Sequence, residues 1–208
     1  MGGSFMFKFI WRILILISTS YGIYGGVYMA ADQPNLGFLL YYTTQSNLWC
    51  CLFFLYLMMT NRKRPWIKGG ITAAITVTFI LYQFIILPYC LKYGSMHQLF
   101  SSTDIAVHYL SPFLVVMDTI LFDKSQDYPW YTPFQWLLIP IIYFFYIVGR
   151  TFLHRPVPEP EHPYLYFFLD ITDIGIQSFI HNIIGITLIF LVAGYFVLII
   201  NQIKAHLH

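Results

Sequence analysis

Ile183-Ile-Gly-Ile-Thr-Leu-Ile-Phe-Leu-Val-Ala-Gly-Tyr-Phe-Val-Leu-Ile-Ile200 runs for 18 residues without a charged side chain. A helix needs about 20 apolar residues to cross the hydrocarbon core of a bilayer. With its flanks this stretch reads as a spanning helix over roughly 175–203, and five more segments of the same kind lie upstream. They cover roughly 9–31, 36–60, 69–91, 104–122 and 133–153. Three of the connections between them are short and polar: Asp32-Gln-Pro-Asn35, Asn61-Arg-Lys-Arg-Pro65 and Asp123-Lys-Ser-Gln-Asp127. Six helices and their loops use up the 208 residues, so residues 1–208 read as a single transmembrane domain.

Composition agrees. Only 10% of the residues are Asp, Glu, Lys or Arg, against about 25% in a soluble domain. A net charge of +2 with no sustained basic patch gives no reason to expect nucleic acid as a partner. Cys50, Cys51 and Cys90 form no paired motif and read as small buried hydrophobes. The first apolar stretch runs on past Ile17 through Tyr21, Tyr24 and Val27, too long for a signal-peptide core, and reads as a retained helix.

Lys and Arg set the orientation. With the amino end in the cytoplasm, Lys8, Arg12, Arg62, Lys63, Arg64, Lys68, Lys124 and Lys204 lie inside. Lys92, Arg150 and Arg155 lie outside, a split of eight to three. The expected fold is therefore an all-α membrane protein of six transmembrane helices with both ends cytoplasmic. Residues 154–174, HRPVPEPEHPYLYFFLDITDI, are too proline-rich to start as helix and too apolar from Tyr164 to Leu169 to lie in water. They are expected to form a re-entrant or interfacial loop before the last helix, either a lid or an aromatic anchor.

Polar groups within spans are costly and mark function. The two densest clusters are Thr43-Thr-Gln-Ser-Asn47 in the second segment and Asp104 with His108 in the fourth. Counting at 1.5 Å per residue puts Thr44 about 12 Å and His108 about 6 Å below the outer ends of their helices. A tilt or a later start brings the two level. A threonine hydroxyl beside a histidine base can attack an acyl carbon. The ordinary alternatives are a Thr44 hydroxyl bonded back to Leu40 and an interhelical bond from His108. Asp104, one turn before His108, can orient the imidazole, and so can Asp170 in the loop. Asn47, one turn below Thr44, can donate to an oxyanion. Pro112 kinks the fourth helix and opens space beside His108. Tyr41, Gln45, Pro112 and Tyr166 are the expected walls of a substrate pocket. Asp118 is about 15 Å deeper than His108 at helical rise and is expected to be a structural partner near the inner face. His97, His154, His162 and His181 fall on the outer side without ligand spacing, so no metal and no cofactor is expected.

Three blocks carry a family resemblance. Tyr42-Thr-Thr-Gln-Ser-Asn-Leu48 is similar to a Thr-x-x-Asn-Leu motif, and His108-Tyr-Leu-Ser-Pro-Phe113 to a His followed by Pro-Phe. Tyr166-Phe-Phe-Leu-Asp170 is similar to a Tyr-Pro-Phe-Leu-acid stretch before the last helix. In order, they resemble the androgen-induced-gene family of intramembrane threonine hydrolases, which includes the androgen-dependent TFPI-regulating proteins and small bacterial relatives. The resemblance implies Thr44 as nucleophile, His108 as base, and hydrolysis of lipid esters such as fatty acid esters of hydroxy fatty acids. The substrate would come from the membrane, and the chain would sit in the plasma membrane, the inner one in a bacterium. The spacing from His108 to Pro112 is one shorter than in the animal members, and Phe167 stands in place of the block's proline. Thr43 adjoins Thr44, and a step of one residue turns a side chain about 100° around a helix, so the two cannot both face His108. Two other readings are a zinc-dependent lipid amidase or esterase using His108, His181, His154 and an outer carboxylate, and a non-catalytic transporter or scaffold.

Overall fold

A computed structural model describes residues 2–29, 35–60, 62–94, 99–124, 128–153 and 164–207. All regular structure among them is helical. Six rods follow in chain order: α1 (Gly2–Tyr24, continued by a π turn over Gly25–Met29), α2 (Tyr42–Thr60), α3 (Pro65–Tyr93), α4 (Ser102–Phe122), α5 (Thr132–Phe152) and α6 (Ile171–Leu207). All but α2 are long and apolar enough to cross a membrane, which makes the chain an integral membrane protein. α2 has the length, 19 residues, but Thr43 through Asn47 occupy its first turn and a half and lower its mean hydropathy.

The expected second segment, 36–60, is two pieces. A 3₁₀ turn over Leu36–Leu40 is capped by the Asn35 side chain, which accepts from the Gly37 N–H at 2.9 Å. Tyr41 is extended, and α2 begins at Tyr42. The threonines thus sit at the start of a helix, where first-turn N–H groups have no intrahelical acceptor. Serine and threonine compete for backbone bonds in mid-helix and suit such a start.

α3 is the central rod. Its apolar window is 61% buried, against 28–44% for the other four spans, and it packs on α2, α4, α6 and the first turns of α5. Phe54, Ile75 and Val115, each without exposed surface, join α2, α3 and α4 in one core. Short hydroxyl pairs link neighbouring rods: Ser46 with Thr78 at 2.7 Å, Ser18 with Ser111 at 2.8 Å, and Thr72 with Thr119 at 3.0 Å. Packing and polar pairs of this kind hold helices together in lipid, where no hydrophobic force acts between them. α1 meets the start of α4 through glycine. A Cβ at Gly22 would lie 2.1 Å from Val107 Cγ1, and one at Gly25 would lie 2.2 Å from Thr103 Cγ2.

Two π turns interrupt the rods, each one residue before a proline. In α3 the Leu87 N–H reaches back five residues to the Tyr82 carbonyl, and Pro88 follows. In α4 the Ser111 N–H reaches the Ala106 carbonyl, and Pro112 follows. Proline has no N–H to give its i−4 carbonyl and its ring crowds that carbonyl, so the turn widens ahead of it.

α6 starts earlier than expected. Asp170 caps it, accepting from the Thr172 N–H at 3.0 Å and the Thr172 hydroxyl at 2.5 Å. Gly175, with φ 75° and ψ 162°, then bends the rod. Only glycine takes that conformation without strain.

At one end of the bundle Asp118, fully buried, accepts from Lys68 Nζ at 2.5 Å and Arg12 Nε at 3.2 Å. Lys68 also reaches Asp123 at 2.5 Å, and Lys204 donates to the Thr119 and Asp123 carbonyls. Asp118 is thus a structural partner within a basic cluster, apart from Asp104 and His108.

Candidate active site

The opposite end holds a cavity of about 570 Å³. Its polar side is built by α2, α3 and α4. Ser101 caps α4, accepting from the Asp104 N–H at 3.2 Å, and Asp104 accepts from the Phe100 N–H at 3.0 Å. This is a variant of the capping box, in which the third-position aspartate reaches the N–H of the residue before the cap. Phe100 takes a left-handed φ of 61° to make that contact, a local strain of the kind found at functional sites.

One turn on, His108 stands in the π turn with its Nδ1 2.9 Å from Asp104 Oδ1 and 3.1 Å from the Asp104 carbonyl. Both neighbours are acceptors, so Nδ1 carries the hydrogen and donates it. In the neutral ring Nε2 is then left with a lone pair. Nε2 lies 3.3 Å from Thr43 Oγ1. The ring is held from the side as well. Tyr82 stacks on it with centroids 3.6 Å apart and planes at 14°. The Tyr82 hydroxyl donates to Asp104 Oδ2 at 2.5 Å. Hydroxyl, imidazole, carboxylate and phenol thus form one connected chain.

The sequence expectations divide here. Thr43, not Thr44, brings its hydroxyl to His108. Thr44 lines the same cavity one step round the helix. Asp104 orients the imidazole, whereas Asp170 is occupied in capping α6. Asn47 is not a free oxyanion donor. Its two N–H bonds go to the Thr43 carbonyl at 2.9 Å and the Val107 carbonyl at 3.2 Å, which ties α2 to α4 beside the site. Its other polar atom, Oδ1, is an acceptor with no partner among the described residues. Gln45 turns away, donating to the Leu39 carbonyl at 3.3 Å and facing a separate groove between α2 and α5. Pro112 is buried behind the π turn and lines no cavity wall beside His108. Tyr41 and Tyr166 do line the cavity.

The part of the loop that is described, 164–170, lies over this cavity. Leu165, Phe168 and Leu169 are buried. Phe167 stacks on Tyr89 of α3 at 3.6 Å. The Tyr166 hydroxyl accepts from the Tyr42 N–H at 2.7 Å, and Tyr143 of α5 donates to the Leu40 carbonyl at 2.8 Å. The two hydroxyls are 3.2 Å apart. With the Tyr143 hydrogen spent on Leu40, Tyr166 donates to Tyr143. The loop is thereby latched to the start of α2, next to Thr43.

Tyr82 and Tyr143 were not singled out by their sequence positions. The available signal was Pro88 within a span, which marks the π turn that begins at Tyr82. Among the described residues no three His, Cys, Asp or Glu side chains converge. His181 is exposed on α6 and absent from the cavity lining. His97, His154, His162, Glu159 and Glu161 lie outside the described residues.

Comparisons with protein-family models, curated proteins and solved structures found no match to this chain.

Proposed function

We propose that the chain is an intramembrane hydrolase of lipid esters, of the class of fatty acid esters of hydroxy fatty acids, with Thr43 as nucleophile and His108 as general base. The contact of Thr43 Oγ1 with His108 Nε2, at the floor of a cavity and with Asp104 behind the ring, carries the reading. In this proposal six helices cross the plasma membrane, α2 included, with both termini cytoplasmic. The gathering of Arg12, Lys68 and Lys204 at the end opposite the cavity supports that sense.

The steps balance. Thr43 Oγ bonds to the ester carbonyl carbon while His108 Nε2 takes its proton. The negative oxygen is steadied by first-turn amides of α2, such as those of Thr43 and Thr44, in place of Asn47. The C–O bond to the alcohol breaks and the alkoxide takes the proton from His108. Water then attacks the acyl-threonine, its proton passes to His108 and on to Thr43 Oγ, and the acid leaves. Asp104 steadies the imidazolium formed in each half.

The test separates adjacent threonines. Labelling by a fluorophosphonate is expected to disappear in Thr43→Ala and persist in Thr44→Ala. Wild-type labelling and ester turnover in Thr43→Ala would remove the nucleophile from the mechanism.

Tyr82→Phe keeps the stacking surface and deletes the hydrogen bond to Asp104. A hydrogen bond to a charged group is worth about 1.5–3 kcal/mol, and about 1.4 kcal/mol is tenfold in rate. kcat is expected to fall about tenfold with KM held within about twofold, since Tyr82 acts through His108 and Asp104. A change confined to KM would mean that Tyr82 only lines the pocket.

A further inference from the structure

A second cavity, of about 360 Å³, lies between α3, α5 and α6 and meets the first at Thr43, Ile86 and Tyr166. Its polar groups are already engaged. Thr78 pairs with Ser46, and Thr187 donates to the Ile183 carbonyl at 2.8 Å. The Tyr42 hydroxyl donates to the Ala74 carbonyl at 3.3 Å, and Tyr143 and Tyr166 are spent on the latch. The remaining lining is aliphatic or aromatic, Ile141, Phe144, Ile186 and Phe190 among it. Such a space offers a ligand dispersion contact and almost no hydrogen bond. Apolar cavities of this kind stay dry and take apolar guests.

The cavity also reaches lipid. Of the outer part of α5, Leu138–Phe152, Ile147 is the buried residue, and Tyr143 bonds to the 3₁₀ turn and the loop. Ile141 and Phe145, which line the cavity, are 46% and 68% exposed. The path from the bilayer to Thr43 therefore runs between α5 and α6 and is apolar to its end.

We propose that this cavity is the acyl-chain site, entered laterally from the bilayer. The carbonyl stops at Thr43, where the two cavities meet, and the alcohol half occupies the first cavity beside Ser101, Thr103 and Asp173. The assignment rests on the hydrolase reading for the ester, but the alkyl-chain site itself does not need the chemistry to occur.

The experiment uses the full chain in nanodiscs and a long-chain fatty acid bearing a diazirine and a terminal alkyne. Irradiation is expected to label peptides covering 137–145 and 183–190, and excess unlabelled fatty acid is expected to compete. Ile186→Trp fills the cavity and is expected to cut the competed labelling by about tenfold or more. In ester assays it should lower the ratio of long- to short-chain turnover by a similar factor. Ile184→Trp, on an exposed face of α6 outside the lining, is expected to leave labelling unchanged. Ile141→Trp fills the cavity from the α5 wall and serves if Ile186→Trp does not fold. Thr43→Ala is expected to keep its labelling. Labelling that does not compete, that a sterol probe displaces better than a fatty acid, or that survives both cavity-filling variants overturns the site. Competed labelling in a wild-type chain that hydrolyses no ester keeps the alkyl-chain site and removes the hydrolase reading.

Discussion

Ester turnover is expected to fall by about 10²–10⁴-fold when His108 is replaced by alanine, the range that a positioned general base contributes. The geometry argues for the upper part of that range. The ring is fixed on three sides: by Asp104 at Nδ1, by the Tyr82 face, and by its place in the π turn ahead of Pro112. No other histidine among the described residues lines the cavity to take over. Asp104→Asn is expected to cost less than His108→Ala, because the imidazole stays in place while its tautomer and its imidazolium lose support. The two should not add in the double variant, since Asp104 acts only through the ring. Single-turnover hydrolysis by purified protein, with folding checked by size exclusion, reads the effect. Turnover in His108→Ala within a few-fold of wild type removes the base from the mechanism.

Asp118→Ala is expected to cause the largest loss of stability. Asp118 is fully buried and receives both Lys68 and Arg12. Removing one partner of a buried ion pair costs about 3–5 kcal/mol, mostly from stranding the other charge. Lys68 keeps Asp123, whereas Arg12 has no second carboxylate among the described ion pairs. The loss should show as a drop in the midpoint of thermal unfolding in detergent. The Asp118→Leu/Arg12→Met pair is expected to recover part of it, because Arg12 is then no longer stranded and Lys68 keeps Asp123. A midpoint unchanged in Asp118→Ala would mean that water reaches the cluster and solvates the cations.

Much of the architecture follows from local chemistry. Apolar runs long enough to span, broken by Pro, Gly and charge clusters, mark five of the six rods. The α2 rod was legible as a helix, but its start was not. Leu36–Leu40 is as apolar as a span, and nothing within it signals the extended Tyr41 that delays α2 to Tyr42. The site was legible as a pair of polar clusters, because lipid makes unpaired polar groups costly wherever they lie. Its wiring was less so. A depth estimate along two helices brings Thr43 and Thr44 equally near His108. Which of them meets the ring depends on rotation about the α2 axis, and that rotation is set by contacts between residues far apart in sequence, such as Asn47 to Val107 and Ser46 to Thr78. Asp170, though it lines the cavity, and Gln45 bond elsewhere than to His108 for a related reason. Each found a nearer backbone partner, at the start of α6 and in the 3₁₀ turn, before any contact across the cavity.

What the sequence determined alone is the solvent and the material: a chain built for lipid, helical because lipid leaves backbone groups no other partner, with its hydroxyl, imidazole and carboxylate in two segments. Tertiary structure decided which hydroxyl faces the imidazole, which acid holds it, that Tyr82 stacks on it, and that an apolar cavity opens beside Thr43. Those are contacts between rods. They follow from how far each helix is rotated and how closely it approaches its neighbours, through glycines at Gly22 and Gly25 and π turns ahead of Pro88 and Pro112. Hydrophobic periodicity could not supply that rotation, because in lipid the outer face of each rod is as apolar as the inner one.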